Sequence, residues 1–185
     1  MIKEKKTSEG LVAYVKRQLG KPFWFGCCGQ ISSNQLYTQK KQMYPEEYKW
    51  ECKNNQPDTV PAVQLGVPVF DCSGLIKSYL WTDENGDICP HHEQDLSARG
   101  FFEKSPCKGD IDTIPEIEGL LVFAPHHVGI YIGNGYVIDA KGHKFGVIKT
   151  VLKDRPWTHW GYCPWIEYKH MGDMNDKQKN EPSTC

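Results

Sequence analysis

No stretch of this chain approaches the roughly 20 consecutive apolar residues that cross a bilayer. The opening Met1-Ile2-Lys3-Glu4-Lys5-Lys6 carries charge without the apolar run of an export signal behind it. Membrane insertion is therefore not expected, and synthesis as a soluble cytoplasmic chain is. An excess of charge is also missing: 22 Lys and Arg stand against 23 Asp and Glu, a net charge of -1. The two signs are interspersed, so no basic stripe marks a surface for nucleic acid or anionic lipid. Internal repeats and low-complexity tracts are absent. Cysteine is not scarce, at eight, but without an export signal reduced thiols are the expected state. Length and composition, 185 residues at 39% hydrophobic, suit one substantial core. One domain is expected over residues 1–168, followed at 169–185 by a polar tail with almost no large apolar residues, expected to be mobile.

The first predicted element is a capped amphipathic helix: Ser8 precedes Leu11, Val12, Val15 and Leu19, and Gly20 with Pro22 stops the run. An aromatic loop follows, Lys21-Pro22-Phe23-Trp24-Phe25-Gly26. Residues 33–53 are polar and broken by Pro45, which predicts two short exposed helices or an ordered insertion outside the core. Between residues 83 and 115 glycines and prolines predict loop, with one helical turn or two over 93–98, a stretch placed to flank a groove. From Gly119 the character changes to short apolar segments at 120–124, 128–132, 136–140, 147–151 and 160–168, separated by Pro, Gly and Asn-Gly signals. Helices first and a meander of strands afterwards predict an α+β domain.

Within that frame one thiol stands out. Cys72 lies in Phe70-Asp71-Cys72-Ser73-Gly74-Leu75-Ile76, with Asp71 as an N-cap and Leu75, Ile76, Tyr79 and Leu80 as a helical stripe behind it. A cysteine at a helix start faces unpaired amides and the positive end of the dipole, so a lowered pKa is expected. Downstream, His127 opens Val128-Gly129-Ile130-Tyr131-Ile132. A thiol opening a helix followed by a histidine opening a strand is an arrangement for nucleophile and base. His126, its neighbour, is expected to have opposite strand parity and point away.

The turn Gly133-Asn134-Gly135 decides what faces His127. A three-residue loop closed by Ile132 and Tyr136, with Gly135 left-handed, makes paired residue numbers sum to an even value. His127 and Asp139 then share a face of the sheet as diagonal neighbours. A two-residue Asn134-Gly135 turn would put them on opposite faces. In the first register the Asp139 carboxylate can accept the imidazole N–H, fix its tautomer and stabilise the imidazolium.

Asp71-Cys72-Ser73-Gly74, the His127 to Gly133 segment, Asp139 within Val137-Ile138-Asp139-Ala140, and the Gly20-Lys21-Pro22-Phe23 loop together resemble the NlpC/P60 family of cysteine peptidases. The resemblance runs in order from about Leu11 to Ile166. The closing Trp157-Thr158-His159-Trp160-Gly161 and Pro164-Trp165-Ile166 segments make it similar to phage and prophage-type, endolysin-like members from Gram-positive bacteria. It implies a papain-like α+β fold, with N-terminal helices and the nucleophile helix packed on a C-terminal antiparallel sheet. It also implies hydrolysis of stem peptides of peptidoglycan, commonly at the bond between γ-D-glutamate and a diamino acid. Cys72, His127 and Asp139 would be catalytic, no cofactor or metal would be needed, and a monomer would act at the wall after release by an unspecified route. Third-position histidine is commoner in the family than Asp139, and Phe23 stands where a tyrosine hydroxyl often lies beside the nucleophile. Oxyanion stabilisation then falls to backbone amides, chiefly that of Cys72.

Contact with substrate is expected for Trp24, Asp71 and Ser73, against the plainer readings of a packed indole and helix-start residues. Trp157, Trp160 and Trp165 are aromatic in strand-like segments, which favours core. Cys89-Pro90-His91-His92 with Cys107 lacks the paired spacing of a zinc knuckle. The same thiol machinery also suits an amidase cutting between muramic acid and L-alanine. A non-catalytic wall-binding or virion structural module is the reading from a different class.

Overall fold

The computed structural model describes residues 5–49 and 65–169. The tail expectation falls, beyond Lys169, outside the described residues. Helix α1 (Ser8–Arg17) is capped one residue earlier than expected: the Thr7 hydroxyl accepts the Gly10 N–H at 3.1 Å. Its stripe Leu11, Val12 and Val15 is buried, and Gly20, left-handed at φ 80°, turns the chain away.

Six strands form one antiparallel sheet in the order β3-β8-β4-β5-β6-β7: β3 (Lys108–Asp110), β4 (Leu121–Ala124), β5 (His127–Tyr131), β6 (Tyr136–Ala140), β7 (Val147–Val151) and β8 (His159–Gly161). Leu121, Val122, Ile130, Val137 and Ile138 are fully buried, so β4, β5 and β6 are covered on both faces. Helix α3 (Cys72–Trp81) lies against β5 and β6 and buries Leu75, Ile76 and Leu80 there. Each such side chain contributes about 1.5–3 kcal/mol of burial. The fold is the expected α+β arrangement, with the nucleophile helix on the sheet.

A second, smaller core forms where the polar composition predicted exposure. Helix α2 (Asn34–Met43) starts at Ser33, whose hydroxyl accepts the Leu36 N–H at 3.1 Å. Tyr37 from this helix and Tyr48 beyond it are buried with Trp24, Cys27 and Val69. Two tyrosines thus anchor a run that is otherwise polar, and the Tyr48 hydroxyl is satisfied by donating to the Phe25 carbonyl at 3.0 Å. The short antiparallel pair β1 (Cys28–Ile31) and β2 (Pro68–Phe70) joins this core to the start of α3. Residues 83–115 also differ from expectation. Helix α4 (Ala98–Lys104) buries Phe101, and Gly100, expected as a breaker, sits in its first turn with its N–H on the capping Ser97 hydroxyl.

Candidate active site

The start of α3 is fastened to the aromatic loop by a single carboxylate. Asp71 Oδ1 accepts the Gly74 N–H at 2.6 Å and the Ser73 hydroxyl at 3.0 Å, while Oδ2 accepts the Gly26 N–H at 2.9 Å. The Asp71 N–H in turn donates to the Cys27 carbonyl at 2.8 Å. That carbonyl comes so close to the helix that a β-carbon on residue 74 would lie 1.9 Å from its oxygen. Gly74 is therefore required by the approach of two backbones, and the motif Asp71-Cys72-Ser73-Gly74 is a docking device as much as a nucleophile signature. Asp71 and Ser73 are buried, with their polar atoms engaged in this cap. Their polar atoms serve this cap, the plainer of the two expected readings. Trp24 is 2% exposed and edge-to-face with Tyr37 at 5.5 Å inside the second core, the place of a packed indole.

Cys72, the first residue of α3, is partly exposed. The backbone N–H of Val128, the residue after His127, lies near enough to favour the charged form of its sulfur, and α3 packs on β5, the strand that His127 opens. The electrostatics reverse the expectation of a lowered pKa. Burial of the sulfur comes first and the charge of Asp71 second; both outweigh the N–H groups of Val128, Ser73 and Cys72, and the thiol is pushed up to about 12. A raised thiol pKa means the protonated form prevails at neutral pH. Alkylation of Cys72 by iodoacetamide, followed by peptide mapping, is therefore expected to climb steadily over about pH 5 to 9. A plateau beginning below about pH 7 would show a preformed thiolate instead.

On the sheet side, Ala124 pairs with His127, so Pro125 and His126 form a two-residue turn. His126 is exposed and left-handed at φ 59°. It is thus turned away by its place in a tight turn, not by strand parity as expected. The next hairpin has the even register: Ile130 pairs with Ile138 and Tyr131 with Val137. Its loop is Gly133-Asn134-Gly135, all three at positive φ (81°, 54° and 72°), where the sequence required this only of Gly135. The Glu116 carboxylate holds the loop by accepting the Tyr131 hydroxyl at 2.6 Å and the Asn134 N–H.

That register puts Asp139 beside His127, with 2.7 Å between Oδ2 and the imidazole Nε2. Asp139 is 0% exposed. Gly129 makes the geometry possible: a β-carbon there would lie 2.8 Å from Val137 and 2.9 Å from the Trp157 ring. Trp157, buried, stacks on the imidazole at 5.6 Å between centroids and 17° between planes. Arg155 reaches the same carboxylate, Nη1 donating to Oδ1 at 3.4 Å and Nη2 to Oδ2 at 3.3 Å.

Sequence reasoning missed Arg155. The usable signal was Asp139 itself, because a carboxylate flanked by Val137, Ile138 and Ala140 in a core strand needs a cation or several donors. Trp160 is packed as expected, its indole N–H donating to the Thr113 hydroxyl at 2.9 Å, and Trp165 packs edge-on against Phe101. His159 packs on Phe102 and lies 3.5 Å from Asp110. Phe23 meets His143 edge-on at 5.0 Å. Among the described residues no group of three or more His, Cys, Asp or Glu gathers as metal ligands would, and no helix is long and apolar enough to cross a membrane.

No curated protein matches the chain. Among solved structures, the P60 domain of an antigen from M. avium subspecies paratuberculosis is 20% identical, over 87% of this chain and 96% of that one, with a TM-score of 0.47. The peptidoglycan hydrolase RipB from Mycobacterium tuberculosis is also 20% identical, over 87% and 67%, at 0.44. RipD from Mycobacterium tuberculosis, a non-catalytic NlpC/p60 domain protein, is 17% identical over 86% and 98%, at 0.48. The profile of the NlpC/P60 family matches residues 45–165, a span that takes in α3, the whole hairpin of His127 and Asp139, and Trp157. On that match, which covers well over half of its length, the chain belongs to the NlpC/P60 family.

Proposed function

We propose that this protein is a cysteine peptidase that hydrolyses stem peptides of peptidoglycan, at the bond between γ-D-glutamate and a diamino acid. The observation that carries the reading is the buried Asp139 carboxylate 2.7 Å from His127 Nε2, at the end of the sheet where Cys72 opens α3. With Nε2–H donated to Asp139, the other ring nitrogen, Nδ1, is the basic one and is left for the thiol. Burial favours the thiol form of Cys72, so attack and proton transfer are coupled: Nδ1 takes the proton as sulfur adds to the carbonyl carbon. The backbone N–H of Cys72 supports the oxyanion. His127 then protonates the departing amine, and water, deprotonated by His127, releases the acid and regenerates the thiol.

The finer choice among bonds follows the family resemblance, since thiol chemistry does not fix it. RipD, a non-catalytic member of the same family, keeps the alternative of a wall-binding module in view; the intact thiol, imidazole and carboxylate favour catalysis here. The test is digestion of purified peptidoglycan with mass spectrometry of the soluble fragments. New termini between γ-D-glutamate and the diamino acid are expected. Free L-alanine amino termini on stem peptides stripped of muramic acid would establish an amidase. Co-sedimentation with the wall and no fragments would establish a binding module.

A further inference from the structure

We propose that Arg155 is a positioning residue for the reacting pair, holding Asp139 by both oxygens and cancelling the charge that Asp139 would otherwise present to His127. The proposal rests on the reading of Cys72 and His127 as nucleophile and base.

Asp139 is 0% exposed and sits between Ile138 and Ala140, both also 0% exposed. A lone carboxylate in such a place is costly, and one hydrogen bond from a neutral imidazole does not compensate it. Arg155 does. It comes from the chain just after β7 and the single 3-10 turn Leu152–Asp154, and its side chain is only 14% exposed, so the ion pair is poorly screened. Nη2 and the imidazole Nε2 converge on the same oxygen, Oδ2, from 3.3 and 2.7 Å. The guanidinium carbon also lies 5.3 Å over the Trp157 ring that stacks on His127. Arg155 thus reaches the imidazole by two routes: a shared carboxylate oxygen fixes the ring's donor edge, and a shared indole backs its face.

The electrostatic consequence follows from the count of charges. The ionisable groups near His127 include Asp139 from β6, hydrogen-bonded to it, Arg155 from beyond β7, which meets it through Asp139, and Cys72 at the start of α3, beside the next residue Val128 and with Asp71 acting on it. Asp139 and Arg155 together carry no net charge, so the pair orients the imidazole as an acceptor without drawing a proton onto it. A base that must take the proton from a thiol has to be neutral beforehand, which is the condition the proposed pairing serves. Asp139 alone would favour imidazolium and protonate the base before the substrate arrived.

The experiment is the pH dependence of kcat/KM on peptidoglycan fragments, together with a titration of the His127 ring protons by NMR, in the full chain. Wild type, Arg155→Gln, Arg155→Lys and Asp139→Asn are compared with the double variant Arg155→Gln/Asp139→Asn. Arg155→Gln is expected to move the acid limb of kcat/KM and the His127 titration together to higher pH, by about one unit. Arg155→Lys restores both positions. The double variant loses the shift, since no buried charge remains. Should Arg155→Gln fail to fold, Asp139→Asn and the double variant carry the test. Arg155 stranded without its carboxylate moves the His127 titration lower than it lies in the double variant. Coincident titrations in wild type and Arg155→Gln, or in that second pair, would overturn the proposal, leaving Arg155 a structural ion pair. The titration is read without turnover. A shift in a protein that releases nothing from walls would count against the proposed hydrolysis and for the role of Arg155.

Discussion

Cys72→Ala is expected to abolish release of soluble fragments from peptidoglycan, by roughly ten-thousandfold or more, while leaving the fold in place. The size of the loss follows from chemistry: sulfur forms the covalent bond to the acyl carbon, and no other described thiol lies at the start of α3. The silence of the fold follows from position. Cys72 is partly exposed and occupies the first helical residue, where alanine is well tolerated, and the cap contacts belong to Asp71, Ser73, Gly74 and Gly26. Thermal unfolding of the variant should therefore shift by no more than the equivalent of about 1 kcal/mol. Turbidity loss of a wall suspension, measured beside the unfolding curve, checks both halves. Clearing of walls by Cys72→Ala at the wild-type rate would end the nucleophile assignment.

His127→Ala should be nearly as damaging, roughly a thousandfold or more, because a thiol whose pKa burial pushes up to about 12 must lose its proton to a base as the sulfur attacks. Its neighbour supplies the control. His126 is exposed in the turn and left-handed, so the fitting substitution is asparagine, which tolerates that conformation where alanine would strain it. His126→Asn should keep full turnover. Comparable losses from the two variants would mean that the turn, and not the imidazole of His127, is what the reaction needs. Asp139→Asn belongs between them: it keeps a side chain of the same shape against the ring but leaves Arg155 buried beside it without its counter-charge.

The parts of this site that were readable in the sequence are those written in local periodicity. Asp71 before an apolar stripe fixed where α3 begins, and the Gly133-Asn134-Gly135 turn between two alternating strands narrowed the register to two choices. The turn residues could not choose between them, because both loop lengths accept glycine and asparagine; the hydrogen bond between the Ile132 N–H and the Tyr136 carbonyl shows which closed. The unreadable parts depend on contacts between distant segments. Tyr37 and Tyr48 look exposed in a polar run until Trp24 and Val69 arrive to cover them. Arg155 is one of many surface-compatible cations until β7 returns the chain to Asp139. The thiol was misjudged for a related reason: a helix start is visible in sequence, whereas the atoms that bury the sulfur come from elsewhere in the chain.

A thiol whose burial favours the protonated form has a bearing on the durability of the proposed active site. Peroxide, disulfides and stray electrophiles attack thiolates, and the first steps toward sulfenic and sulfinic acid slow in proportion to the thiolate fraction. Burial pushes the Cys72 thiol up, so the fraction open to these reagents near neutral pH is expected to be small. On the proposed mechanism, the same burial that makes Cys72 depend on His127 is expected to slow its oxidation, so that resistance to oxidants and dependence on a base become two expressions of one packed sulfur.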